Sequence, residues 1–180
     1  DVDEGDYVPE EFWPVSDPTN PLSPIVQRGM AFSGNEILAV PPQMKFALRS
    51  WSLETWIRPT SPDQTATIIQ RSVGVDQVNY ELGLIDGFPM VAFDGPDAGG
   101  ETIDHYTITG PEVLPQNEWT HLVATYGADE ATLTLYVDTF PVAQAVYPEK
   151  RPEPLLVSNT PAVVEIGDNF IGQLDEIRVW

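Results

Sequence analysis

The residues with the most chemical scope sit on two stretches that read as strands. Ser52, Glu54, Trp56 and Arg58 alternate with Trp51, Leu53, Thr55 and Ile57. A strand there places a carboxylate, an indole and a guanidinium on one face. Near the end of the chain Asp175 shares its parity with Ile177 and Val179, while Leu174 falls on the other parity. A bulge near Asp175 reconciles the two apolar faces and re-aims its carboxylate. The alternative is an aspartate that caps a turn or bonds to backbone amides. Asp168 and Asn169 make a second oxygen-rich turn, of the kind that turns are polar anyway to make. Tyr80, Tyr106 and Trp13 are aromatics that can serve a ligand. Of the two histidines, His105 is isolated and His121 lies in a strand-like run. Catalytic constellations are scarce. Asp175 and Glu176 are strand neighbours and face opposite ways. No nucleophile elbow, phosphate-binding loop or dinucleotide fingerprint occurs, and without cysteine there is no thiolate nucleophile, thiolate metal site or disulfide.

The elements that position these groups are short strands. Candidates are Met30–Phe32, Ile37–Val40, Trp51–Arg58, Ala66–Arg71, Tyr80–Ile85, Pro89–Phe93, His105–Thr109, Trp119–Tyr126, Thr132–Val137, Pro141–Val146, Val163–Gly167 and Ile171–Trp180. Turn signals separate them, and Asp86-Gly87 is a two-residue hairpin signal because both residues tolerate positive φ. No window holds a helical apolar period. The pattern predicts an all-β antiparallel sandwich, with Trp119 and Tyr126 filling its core. Residues 1–24 differ: Asp1, Asp3, Glu4, Asp6, Glu10 and Glu11 are followed by Pro14, Pro18, Pro21 and Pro24. Proline at that density blocks helix and central strand, so 1–24 is read as an extended arm or linker and 25–180 as the folded domain. Tyr7, Phe12 and Trp13 suit an arm that packs on this domain or a neighbour.

Five blocks resemble laminin-G-like domains and occur in that family's order. Met30-Ala31-Phe32-Ser33-Gly34-Asn35 is similar to its opening segment. Ser52-Leu53-Glu54-Thr55-Trp56-Ile57-Arg58-Pro59 resembles its Glu-Trp strand. Asn117 to Tyr126 resembles its Trp-His strand, where His121 falls in a structural position. Leu133 to Asp138 and Phe170 to Trp180 resemble its last two blocks. Thr139 stands where the family's hairpin has glycine, and Ser33 replaces an aspartate. The resemblance implies a concanavalin A-like jelly-roll sandwich of two antiparallel sheets. It further implies a structural calcium where the last strand meets an early loop, held by Asp175, the Gly34 carbonyl and the Asn35 side chain. Calcium accepts such oxygen sets, carbonyls included. In sandwich relatives that bind sugars, aromatics stack on the ring and acids bond its hydroxyls, a role open to Trp56 and Glu54. The other reading has Trp56 covered by a loop and Glu54 paired with Arg58 or Arg178. Glucanases of this fold need two acids on one strand face, and their acid-rich strand is missing.

Composition narrows the partners. The formal charge is −20 over 180 residues, which repels nucleic-acid phosphates and anionic lipid surfaces. No apolar run is long enough to span a bilayer. Lysine occurs only at Lys45 and Lys150, a balance that suits either a saline environment or an acidic extracellular protein. The chain starts without a basic, apolar leader and stops at its last family block, as a mature or excised piece of a larger protein does. The expected function is a non-catalytic extracellular module that binds a glycan or a protein surface, with calcium as cofactor. Two alternatives stand beside it. One is an architectural subunit of a surface assembly, docking through its arm on neighbouring subunits. The other is an accessory domain of a larger secreted hydrolase.

Overall fold

The computed structural model describes residues 29–74, 77–96, 102–147 and 162–180. They form twelve strands: β1 (Met30–Ser33), β2 (Leu38–Val40), β3 (Trp51–Pro59), β4 (Ala66–Gly74), β5 (Gln77–Ile85), β6 (Phe88–Pro96), β7 (Ile103–Thr109), β8 (Thr120–Gly127), β9 (Thr132–Val137), β10 (Phe140–Val146), β11 (Val164–Ile166) and β12 (Ile171–Val179). A short 3-10 turn, Met44–Phe46, lies between β2 and β3. Each strand falls on an expected segment. Among the described residues no helix is long and apolar enough to cross a membrane.

The strands make two six-stranded sheets in the orders β1-β12-β3-β8-β9-β10 and β2-β11-β4-β5-β6-β7. Every pairing is antiparallel. The chain passes repeatedly between the sheets, as in a jelly roll. The period of two decides which side chains meet. Leu53, Ile57, Leu122, Leu133 and Leu135 point inward from one sheet, against Ile68, Leu82, Leu84, Val91 and Phe93 of the other. An aromatic seam closes one end of this core. Tyr126 packs on Phe93 at 4.8 Å and on Trp51 at 6.0 Å between ring centroids.

Tight hairpins fix the registers. Asp86 and Gly87 take φ +50° and +81° between the paired Ile85 and Phe88. Asp138 and Thr139 do the same at +46° and +75° between Val137 and Phe140. Thr139 therefore holds a left-handed conformation that its branched Cβ disfavours. Gly167, at φ +85°, lies so close to Phe32 that an added Cβ would sit 2.1 Å from the ring.

Three sequence expectations need correction here. Trp119 does not join the core: it precedes β8, is half-buried, and its ring lies against Gly29. Tyr80 is no accessible ligand platform, because it points inward from β5 and is fully buried. Tyr106 is also part of the interior edge, packed between Phe93 at 5.1 Å and Tyr147 at 5.1 Å. Each sits on a strand or strand edge whose parity sequence alone left undecided. Tyr7, Phe12 and Trp13 lie outside the described residues.

Candidate functional site

The antiparallel registers of the β3 sheet line its outward side chains into rungs. Ser52 pairs with Thr125, Thr125 with Thr134, and Thr134 with Gln144. The backbone of Trp180 exchanges two hydrogen bonds with Ser52, of 3.0 and 3.1 Å, and extends the same rung at its other end. Five neighbouring strands thus align one indole, three hydroxyls and an amide in a row, of which the Thr134 side chain is buried and bonded to Gln144. At about 4.8 Å per strand the row is roughly 19 Å long. It floors an open trough of about 640 Å³ that Ser50, Thr132 and Glu130 also line. Trp180 is 68% exposed. Gln144 Nε2 donates to Thr134 Oγ1 at 3.0 Å, which turns the amide oxygen free for another donor. Among the described residues no lysine or arginine lines the trough.

The next rungs hold the expected pair Glu54 and Trp56. Glu54 accepts from His121 Nε2 at 3.1 Å and from Arg178 Nη1 at 3.3 Å. Arg178 also donates to Glu176 Oε2 at 2.8 Å. Burial raises the Glu54 carboxyl, but hydrogen bonds from His121 and Trp180 and the Arg178 charge outweigh it and hold the group below its ordinary range. Trp56 stays partly open and stacks on the His121 ring at 4.9 Å, 27° between planes. Of the two partners expected for Glu54, the structure selects Arg178. Arg58 turns instead to the Asn117 carbonyl at 3.0 Å and Gln173 Oε1 at 2.9 Å. Glu54, held below its ordinary range by these partners, is not kept protonated as a glycosidase acid must be. The arrangement orients and hydrogen-bonds.

The set expected to hold calcium does not converge. β12 carries a bulge after Asp175, where the register against β3 skips to Arg178 and Glu176 takes φ +50°. The bulge was legible in the sequence, but it directs Asp175 Oδ1 onto the Glu176 N–H at 2.8 Å. Gly34 and Asn35 follow Ser33, which pairs with Ile171. Four residues of strand separate Ile171 from Asp175, roughly 13 Å. Oxygens on one calcium lie at about 2.3–2.6 Å from it, so these three residues cannot share an ion. The Gly34–Asn35 loop is organised by Glu36 instead. Its carboxylate accepts from Ser33 Oγ at 2.6 Å and from the Ser33 amide at 2.7 Å, and is held down to about 2 by these bonds. Among the described residues no group of three or more His, Cys, Asp or Glu is arranged to hold a metal.

The outer face of the other sheet is polar but self-satisfied. His105 Nδ1 meets Asp94 Oδ1 at 2.8 Å, and Asp94 Oδ2 accepts the Val78 N–H. The hydrogen bond to Asp94 raises the His105 pKa. Thr67 donates to Glu81 at 2.9 Å, and burial raises the Glu81 carboxyl. Gln70 Nε2 donates to Glu165 at 2.7 Å.

The trough residues Trp180, Thr125, Thr134 and Gln144 escaped sequence reasoning. The one signal for the row as a whole is cross-strand register, which no single strand displays.

A laminin-G family model, described as the concanavalin A-like lectin/glucanases superfamily, matches residues 32–180. Solved structures agree on the fold. A Ruminococcus gnavus IT-sialidase CBM40 bound to α2,3-sialyllactose superposes with a TM-score of 0.65 at 12% identity, covering 84% of this chain and 88% of that one. Domain 4 of AbnA, a GH43 extracellular arabinanase from Geobacillus stearothermophilus in complex with arabinotriose, gives 0.58 at 16% identity, with 84% and 69% covered. Mouse laminin α1 domains LG4-5 give 0.59 at 15%, with 84% and 40% covered. At these identities the likeness is one of fold. No curated protein matches the chain.

Proposed function

The chain belongs to the concanavalin A-like lectin/glucanase superfamily, and on that premise we propose that it is a non-catalytic module that binds an uncharged glycan across the outer face of the β3 sheet. One observation carries this: the rung Trp180–Ser52–Thr125–Thr134–Gln144 flooring an open trough. An exposed indole offers an apolar platform for the face of a sugar ring. A row of hydroxyls and an amide answers the donors and acceptors of successive sugar hydroxyls. The flat, extended shape suits a chain lying along it rather than a compact cofactor, for which an enclosed pocket is the rule.

Charge sets the class of glycan. Among the described residues the trough is lined by Glu130 and by no cation, the nearby Arg178 is already shared by Glu54 and Glu176, and the chain carries −20. A sialylated or sulfated sugar meets repulsion there. This sets the domain apart from the CBM40 structure holding sialyllactose and nearer in ligand type to the arabinanase domain holding arabinotriose. A glycan-binding role places the domain outside the cell or on a surface, with glycan or protein partners of the kind laminin and carbohydrate-binding modules meet.

The experiment is a glycan array that spans neutral, sialylated and sulfated chains, followed by calorimetry with and without calcium. Binding to neutral chains that Ser52, Thr125 and Gln144 substitutions weaken is the expected result. Preferential binding of anionic chains, or of none, sinks the reading. A second reading is an accessory domain of a larger hydrolase, supported by the two structural neighbours that are pieces of a sialidase and an arabinanase. The complete reading frame around this chain tests it: a frame without a catalytic domain counts against it.

A further inference from the structure

Among the described residues three buried polar atoms have no hydrogen-bond partner: Trp51 Nε1, Arg71 Nε and the Tyr80 hydroxyl. They belong to one neighbourhood. Arg71 on β4 and Tyr80 on β5 are cross-strand partners. The Trp51 ring, reaching in from the opposite sheet, lies 5.9 Å from the Tyr80 ring. The three residues are exposed by 3%, 1% and 0% in chain order. Each orphan is a donor: an indole N–H, a guanidinium N–H and a phenol O–H. Burial raises the Tyr80 pKa, so the phenol keeps its proton and remains a donor. Burial lowers that of Arg71, but a guanidinium stays charged in proteins.

Among the described residues Arg71 has one acceptor, Asn79 Oδ1 at 3.3 Å. That oxygen also takes the Leu48 N–H at 3.1 Å, and Asn79 Nδ2 returns a bond to the Leu48 carbonyl at 2.8 Å. No carboxylate of the described residues pairs with Arg71. A guanidinium withdrawn from water without a counter-charge is strongly destabilising, and beside it Trp51 and Tyr80 bring two further unpaired N–H and O–H groups. What the described residues do not supply to the cluster is negative charge and further acceptor atoms together.

We propose that Arg71, Tyr80 and Trp51 form a site between the two sheets for a small monovalent anion, a halide or a simple carboxylate. Such an ion is acceptor only, so it satisfies all three donors at once and neutralises the buried charge. A sugar is the wrong occupant: its hydroxyls bring no charge. Trp51 also borders the surface trough, so the site lies one side chain from solvent. It is separate from the glycan face and stands whether or not a glycan binds there.

The test is thermal melting of the whole chain at constant ionic strength with chloride, formate or gluconate as the anion. Gluconate is too bulky for a buried site and reports surface screening alone. The expected result is a saturable rise in chloride or formate over gluconate, roughly 5–10 °C at a hundredfold excess over Kd. Arg71→Met puts an apolar chain where the charge was and is expected to fold and to melt alike in all three salts. Tyr80→Phe removes one oxygen and is expected to shift saturation to higher anion concentration. Equal melting of the wild type in all three salts overturns the proposal. So does an undiminished anion effect in Arg71→Met, or, if that variant fails to fold, an unshifted saturation in Tyr80→Phe.

Discussion

Replacing Trp180 by alanine separates the two roles that residue has in the structure. Its backbone bonds to Ser52 survive the change. Its side chain is already 68% exposed, so only about a third of an area of roughly 150–250 Å² is lost from contact. At about 25 cal/mol per Å² that is ~1–2 kcal/mol of packing, beside the hydrogen bond that the indole gives Glu54. For a domain of this size it lowers Tm by roughly 3–8 °C. Binding changes by a different route. Losing the aromatic platform removes about 1–1.5 kcal/mol, which weakens Kd roughly five- to tenfold. Trp180→Tyr keeps a ring in place and should hold Kd within about threefold while sharing part of the stability loss. Calorimetry against a neutral oligosaccharide taken from the array, beside melting curves of both variants, measures the two effects. An unchanged Kd in Trp180→Ala refutes the platform. Equal losses in alanine and tyrosine refute it as well, because they would trace the effect to fold damage.

Other outcomes follow from backbone and charge. Thr139→Gly relieves a branched residue at φ +75° and should stabilise by about 0.5–1 kcal/mol once glycine's greater freedom in the unfolded chain is subtracted; a lower Tm counts against the strain. Gly167→Ala drives a Cβ into the Phe32 ring and adds strain at a positive φ, for a loss of about 2–4 kcal/mol, seen as a lower urea midpoint. Glu81 has its pKa raised by burial, so folding favours the protonated form. Its penalty is absent below the unfolded value and grows as pH rises through the folded one. Glu81→Gln, still able to accept from Thr67, should therefore raise Tm at pH 7–8 and leave it unchanged near pH 4, and a shift that is the same at both values argues against a buried carboxylate.

Much of the fold was readable because its cause is local. Alternation through Trp51–Arg58 and Thr132–Val137 reports one buried and one open face, and Asp86-Gly87 reports a turn that few other pairs adopt. The parity break at Leu174–Asp175 even located the bulge. The five family blocks placed the chain in its superfamily before any register was known. Where reading failed, the missing information was which strand lies beside which. Tyr80 and Tyr106 looked free because nothing local says that Tyr80 meets Trp51 of the opposite sheet or that Tyr106 pairs with Phe93 on the next strand. Asp175 and Gly34-Asn35 looked like neighbours because β1 and β12 do pair, yet the register sets them at opposite ends of that pairing.

By itself the sequence determined the class of molecule: an acidic, cysteine-free sandwich whose strands, turns and outward Glu54–Trp56 face follow from period and turn chemistry. Tertiary structure alone decided what those faces can hold. Glu54 becomes an ionised partner of His121 and Arg178, the hydroxyls of three strands fall into one row beside Trp180, and Arg71 is buried beside Trp51 and Tyr80 with no carboxylate partner among the described residues. The reason is physical. A strand's own residues fix which way each side chain points, but a site is a relation between strands distant in sequence, and only register brings their side chains within bonding distance.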